Sequence, residues 1–351
     1  MKKLRPNNFD LIRLVAALQV IYIHGVEHLE ISNLKNHWFT GFLNCFPGVA
    51  IFFFISGFMV SGSLERNPRL QDYAVNRFLR IFPGLWVCFA VSIFSVGLFG
   101  YNELLNARIG EFVFWCLCQL TCVQFYNPTF LRNYGIGVLN GSLWTIPVEL
   151  QFYVALPIVY FLASKTNPRM QPSTFRLILV FSFFVVVNQL YTFFSIGESE
   201  RFWCKAIKCS MLPYFWLFVL GVIFQRLWEK ISYYFEGTFP YWIALHSVVL
   251  LAASFLSITI GTNTPNPIVG LSLSCTVMSA AFSNRELSER LLQGWDISYG
   301  VYIYHMVMVN ALISCGFAKQ AGFGVLASLF CLTIVSAILS WKLMEQPAIR
   351  W

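Results

Sequence analysis

Phe9-Asp10-Leu11-Ile12-Arg13-Leu14-Val15-Ala16-Ala17-Leu18-Gln19-Val20-Ile21-Tyr22-Ile23-His24-Gly25-Val26 is a run of eighteen residues that only Asp10, Arg13, Gln19 and His24 keep from being wholly apolar. As a helix it is about 27 Å long, close to the hydrocarbon thickness of a bilayer. Lys2, Lys3 and Arg5 precede it, as basic residues precede a secretory leader. The charged residues within the run, and the lack of a small-residue cleavage site after it, predict an uncleaved first span instead. Ten more apolar stretches follow, at 42–62, 81–100, 109–125, 142–163, 177–196, 208–225, 241–260, 267–283, 297–315 and 322–343. Apolar residues make up 57% of the 351 and charged residues 11%, against about 25% charged in an average soluble domain. The composition predicts an all-α polytopic membrane bundle and excludes a soluble enzyme. No repeat, low-complexity tract or composition break marks a second domain, so residues 1–351 are expected to form one integral-membrane domain.

The net charge of +8 comes from cations in short clusters between apolar runs. This is not the continuous stripe that nucleic acid requires. It is a topology signal, because basic residues concentrate on the inner side of a membrane. If 109–125 is a re-entrant or interfacial segment, ten spans remain and both termini lie inside. The inner side then holds Lys2, Lys3, Arg5, Arg66, Arg69, Arg77, Arg80, Lys165, Arg169, Arg176, Arg226, Lys230, Arg285, Arg290, Lys342 and Arg350, sixteen of the 24 Lys and Arg. Seven lie outside, and Arg13 is within a span. The ten cysteines fall mostly in apolar runs, and the cluster of Cys116, Cys118 and Cys122 has no nearby histidine to make a metal site.

Charge at membrane depth is costly and by default marks function. Arg13 has Asp10 three residues back on the same helical face, so the two can neutralise one another. His24 follows Arg13 by eleven residues, about three turns, and faces a similar direction. Glu27 and His28 stand three and four positions beyond His24, where a carboxylate could hold its imidazole in one tautomer. Arg77 and Arg80 lie on one face of a helix entering from inside, with guanidinium forks suited to phosphate. Ser142 is placed to cap the fifth stretch, and Ser142, Thr145 and Glu149 recur at helical spacing. Glu149, two turns into that stretch, needs a partner, and His305 lies near the middle of the 297–315 stretch. His246 reads as a structural histidine.

Four of these segments together resemble the acyltransferase-3 family of integral-membrane acyltransferases. Arg13 and His24 are similar to its Arg, ten residues, His signature, and Arg77-Phe78-Leu79-Arg80 to its Arg-x-x-Arg. Gly141-Ser142-Leu143-Trp144-Thr145-Ile146-Pro147-Val148-Glu149 resembles the segment after its long outer loop. Ser298-Tyr299-Gly300-Val301-Tyr302-Ile303-Tyr304-His305 resembles its late Ser-Tyr-Gly-hydrophobe-Tyr-x-x-His segment. The likeness runs from about Phe9 to Pro347. One departure is Glu345-Gln346-Pro347, where many members carry a basic residue between Glu and Pro.

The resemblance implies transfer of an acyl group, commonly acetyl, from acyl-coenzyme A to a hydroxyl of a cell-surface carbohydrate such as O-antigen or exopolysaccharide. The donor would be cytoplasmic, and the acceptor, free or lipid-linked, would be handled by the membrane domain alone. His24 would be the general base, with Arg13 and Glu149 beside the chemistry. Arg77 and Arg80 would hold coenzyme A phosphates. Asp10, Glu27, Ser142, Trp144, Tyr299 and His305 would line the substrate cavity, in a bacterial inner membrane and without a metal. A proton-coupled carrier of a small molecule or lipid-linked sugar also places charges at membrane depth, but no second copy of the Arg13 to His24 pattern provides the paired half-repeat a carrier commonly shows. A structural partner of an export machine would not need buried His and Arg.

The charge partition makes a direct prediction. In a variant without native cysteines, single cysteines near Lys35, Arg132 and Lys319 should react with an impermeant thiol reagent added from outside. Cysteines near Arg69, Arg169 and Arg285 should not, and outside labelling at Arg169 would overturn the arrangement.

Overall fold

The computed structural model describes residues 7–164, 172–198, 201–258, 260, 263–317 and 322–350, with backbone alone at 101 and 350. Lys2, Lys3, Arg5, Lys165, Arg169 and Lys319 of the charge partition lie outside the described residues. The described residues are helical apart from connecting loops, with one isolated bridge between Ser164 and Pro172. Each of the eleven apolar stretches contains a principal helix: α1 Phe9–His28, α2 Gly48–Arg66, α3 Leu70–Phe99, α4 Ile109–Leu120, α5 Thr145–Ala163, α6 Thr174–Phe194, α7 Phe215–Ile231, α8 Phe239–Phe255, α9 Pro267–Ser283, α10 Ser298–Ser314 and α11 Phe323–Ser340.

Among the described residues, six helical segments are long and apolar enough to cross a membrane: Phe9–His28, Trp38–Arg66, Leu70–Phe99, Gly141–Ala163, Thr174–Phe194 and Phe323–Ile349. The pair Phe215–Tyr234 and Phe239–Phe255, bent by 109°, adds a seventh if counted as one span. Helices α7 to α10 have 17 residues each, about 25 Å, at the short limit for a crossing. Helix α4 has 12 residues, about 18 Å, with Ile109, Val113, Phe114 and Leu117 exposed and Trp115 and Cys118 buried. That length and amphipathic pattern suit a segment lying in or re-entering the interface. Helix α3 has 30 residues, about 45 Å, and starts eleven residues before the apolar stretch because Leu70 to Arg80 also keep helical geometry.

The chain divides into two compact units that interleave along the sequence. The first comprises the described residues of Met1–Ala16, Asn44–Ala74 and Val148–Gly294. Its tightest packing is glycine against backbone. A Cβ on Gly57 of α2 would overlap the Phe218 carbonyl of α7, and one on Gly221 would overlap Phe54 O and the Phe58 amide. Small residues at such a crossing let helices approach within backbone contact, which suits an apolar medium with no hydrophobic drive between helices. Aromatic rings fill the flanks, with Phe152 4.9 Å from Phe218 and Phe184 4.8 Å from Phe215 between ring centroids. Helix α6 leaves Phe175, Leu179, Phe183, Val186, Leu190 and Phe193 exposed, a face suited to lipid. His246 is buried between Ser272 Oγ at 2.8 Å and the Cys45 carbonyl at 3.3 Å.

The second unit comprises the described residues of Ala17–Leu43, Val75–Pro147 and Trp295–Trp351. Helix α10 packs on α11 where Gly300 faces Ala337, and Gly25 of α1 accommodates Leu326 and Leu329 of α11. A separate apolar cluster of Phe89, Val96, Trp115, Phe130, Leu131, Tyr134 and Leu139 binds α3, α4 and the following loop.

The α2 to α7 crossing yields a stability prediction. Gly57→Ala forces backbone apart and should cost about 1–3 kcal/mol or more, seen as a lower unfolding temperature in detergent. Gly97→Ala, with no atom within 4 Å of its new Cβ, should be neutral or slightly stabilising because helical glycine is entropically unfavourable.

Candidate active site

In the second unit the part of α1 from Ala17 to His28 and the middle of α10 meet through two imidazoles. His24 Nδ1 lies 2.9 Å from His305 Nε2, with ring centroids 5.1 Å apart. His305 is fully buried, and its own Nδ1 lies 2.6 Å from the Tyr302 carbonyl one helical turn back. His28 brings a third imidazole, its centroid 5.6 Å from that of His24. Glu27, the residue the helical spacing suggested as the partner of His24, is exposed. Three residues on leaves Glu27 within about 60° of His24 round the helix, but its side chain is turned to the surface, and the partner of His24 comes from α10 instead.

Helix α10 is held in place by the loop before α5. Asn310 Nδ2 donates to the carbonyls of Val138 and Leu139 at 2.9 and 2.7 Å, and the Ile136 amide donates to Asn310 Oδ1 at 2.8 Å. Asn140 Nδ2 donates to Ile303 O at 2.8 Å. Tyr302 Oη donates to Ser142 O at 3.1 Å and lies 3.0 Å from Thr145 Oγ1. Ser142 is in a 3-10 turn, Gly141–Trp144, with its hydroxyl donating to Asn140 Oδ1 at 2.7 Å. The hydroxyl is thus spent on the brace and not on capping α5. Trp144 is half-buried in the same turn.

Towards the start of α10 a second polar group gathers. Arg80 Nη2 lies 2.5 Å from Asp296 Oδ2, with side chains only 18% and 14% exposed. Ser298 Oγ donates to the other Asp296 oxygen at 2.6 Å, and Tyr299 Oη donates to Ile81 O at 2.9 Å. Gly84, one turn beyond Arg80, makes room for Tyr299 and Glu345. Glu345 ends a single π turn, Trp341–Glu345, in which Ser340 Oγ donates to Glu345 Oε1 at 2.7 Å. Glu345 Oε2 is buried with no protein hydrogen-bond partner among the described residues, and π turns of this kind are frequent at functional sites. Arg77 is half-buried on the same helix.

Among the sequence candidates, the second unit therefore joins His24 with His305, links Ser142 to Tyr302 beside them, and ties Tyr299 to α3 near Arg80. Arg13, Asp10 and Glu149 belong to the first unit. Arg13 Nη1 is 3.1 Å from Asp10 Oδ1. Glu149 receives hydrogen bonds from Tyr153 Oη and from Ser56 Oγ, the latter at 3.4 Å. Asp296, Glu345, Asn140 and Asn310 escaped the sequence reading. Asp296, just ahead of a helix, reads as an ordinary cap, and the two asparagines carry no charge to draw attention. Glu345 did carry a signal, a carboxylate two residues past the last apolar stretch. No group of three or more His, Cys, Asp or Glu side chains is placed to hold a metal among the described residues.

The family profile described as Acyltransferase domain matches residues 7–344. The chain is 31% identical to Nodulation protein 10 of Rhizobium leguminosarum bv. viciae, over 98% of this chain and 93% of that protein. It is 26% identical to the O-acetyl transferase of Shigella phage Sf6, over 97% and 96% respectively. Peptidoglycan O-acetyltransferase OatA of Listeria monocytogenes is 27% identical over 46% of this chain and 26% of its own length. No solved structure matches.

The Arg80 and Asp296 pair is expected to behave as a buried ion pair. Removing one partner of a fully buried pair costs about 3–5 kcal/mol, and the residual exposure here lowers the expected loss for Arg80→Ala or Asp296→Ala to the lower end of that range. The double variant should recover part of it. Unfolding measurements on the three variants test this, and strictly additive losses would mean that the pair contributes nothing to stability.

Proposed function

As this chain belongs to the acyltransferase-3 family of integral-membrane acyltransferases, we propose that it carries an acetyl group from acyl-coenzyme A to a hydroxyl of a cell-surface carbohydrate, with His24 as general base. Transfer to oxygen is in keeping with relatives named as O-acetyltransferases. The observation that carries the reading is the partly buried contact between His24 Nδ1 and His305 Nε2. It fixes one nitrogen of the imidazole and leaves the other for a substrate proton. Family membership and the absence of a repeated Arg13 to His24 pattern favour the transferase over a carrier.

In the proposed reaction the acceptor hydroxyl gives its proton to His24 as its oxygen attacks the thioester carbonyl. The C–O bond forms, the C–S bond breaks, and the departing coenzyme A sulfur takes the proton from His24. Arg77 and Arg80 supply positive potential for the coenzyme A phosphates, Arg80 from within its ion pair with Asp296. An inner-membrane location with ten crossings and cytoplasmic termini would bring the donor to these arginines from inside.

General base catalysis typically contributes 10²- to 10⁴-fold. His24→Ala, in protein that still inserts, should lower O-acetyl ester formation by that factor in a deletion strain complemented with the variant. Binding of acetyl-coenzyme A, measured by calorimetry on purified protein, should persist in His24→Ala and weaken in Arg77→Lys, where the planar fork is lost. Arg13→Lys should also reduce acylation, whereas full activity would leave Arg13 only balancing Asp10. Normal acylation by His24→Ala would end the base assignment.

A further inference from the structure

We infer that His305 is a positioning residue that holds His24 in the tautomer with hydrogen on Nδ1, so that Nε2 of His24 is the atom that takes the substrate proton. The inference rests on the base reading above, and extends it to a single atom and a second residue. The order of hydrogens begins at the Tyr302 carbonyl. A carbonyl oxygen only accepts, so the 2.6 Å contact from His305 Nδ1 requires a hydrogen on that nitrogen. In a neutral imidazole the other nitrogen is then bare, which makes His305 Nε2 an acceptor. The 2.9 Å contact from His24 Nδ1 to that nitrogen therefore requires the hydrogen on His24 Nδ1. A neutral His24 is left with its lone pair on Nε2.

The order of hydrogens is thus set from the helix backbone outward, and water has little access to disturb it, because His305 is fully buried. The relay is anchored at both ends. Tyr302, whose carbonyl starts it, is tied through its hydroxyl to Ser142 and Thr145, and Asn310, five residues beyond His305, is clamped by the backbone of residues 136–139. When His24 takes the hydroxyl proton on Nε2 it becomes an imidazolium that still donates from Nδ1 to His305. When the departing sulfur collects that proton the original tautomer returns, so His305 keeps its own hydrogen throughout. A histidine oriented by a neutral acceptor in this way has the same geometric logic as one oriented by a carboxylate, without placing a buried anion at membrane depth.

Three substitutions separate this role from simple packing. Gln at 305 puts a carbonyl oxygen where His305 Nε2 stands and can accept from His24. Asn reaches only the Nδ1 position, so it can still meet the Tyr302 carbonyl but not His24. Leu does neither. We expect His305→Asn and His305→Leu to lower kcat by about 10²-fold with the KM for acetyl-coenzyme A unchanged. This is less than the 10⁴-fold loss when an orienting carboxylate is neutralised. His305→Gln should recover most of the rate.

The companion measurement is ¹⁵N NMR of histidine-labelled protein in detergent, with each of the five histidines assigned by substitution. His24 should carry hydrogen on Nδ1 and none on Nε2 in the wild type and in His305→Gln, and should lose that preference in His305→Asn. A wild-type His24 protonated on Nε2, or equal activity of the Asn and Gln variants, would overturn the inference. An active His24→Ala variant would instead overturn the base assignment while leaving the tautomer result intact, so the two failures are distinguishable.

Discussion

Hydrocarbon offers no hydrogen bonds, so a polar group carried to membrane depth is stabilised by a partner within the protein. Helix α10 shows what that demand produces. Its Ile303 carbonyl, Tyr302 hydroxyl, His305 ring and Asn310 carboxamide all reach partners on other segments of the second unit. The same bonds that satisfy these groups also fix the loop leading into α5 and the ring of His24. Orientation of the imidazole follows from meeting the solvation requirement of the helix that holds it.

The arginines show the other side of the constraint. Arg13 faces Asp10, Arg80 faces Asp296, and Arg226 lies 3.3 Å from Glu65, which also accepts from Tyr160 Oη at 3.1 Å. These three guanidiniums thus each come with a carboxylate already attached. Charge that reads in sequence as a free anion-binding surface is in part internal neutralisation, and an anionic ligand at Arg80 has to share that residue with Asp296.

The helical fold was legible almost throughout, because apolar runs of about 20 residues have few alternatives to a membrane helix. Pro267–Ser283 agrees with the apolar stretch to the residue, while α3 exceeds its stretch because helical geometry continues through polar residues that hydropathy does not register. The pairing within the site was harder to read. Spacing along α1 pointed to Glu27 as the partner of His24, since local sequence reveals only neighbours on the same helix. The actual partner, His305, is 281 positions away, and no periodicity within one helix encodes a contact between two. Ser142 was read as a cap from its residue type. Its hydroxyl instead serves Asn140, whose neutral carboxamide gave no cue.

The length of α3 joins the two ends of this chemistry to a property of the lipid. A 30-residue helix of about 45 Å exceeds a hydrocarbon core of about 30 Å by some ten residues. The first eleven of its residues include Arg77 and Arg80. The surplus is continuous helix, with Pro83 inside the same helix three residues beyond Arg80. Membranes differ in thickness by several ångströms, and a rod that is too long responds by tilting or sliding. The depth of the two guanidiniums relative to the bilayer is therefore a function of its thickness, and under the proposed function lipid composition becomes a variable of donor capture.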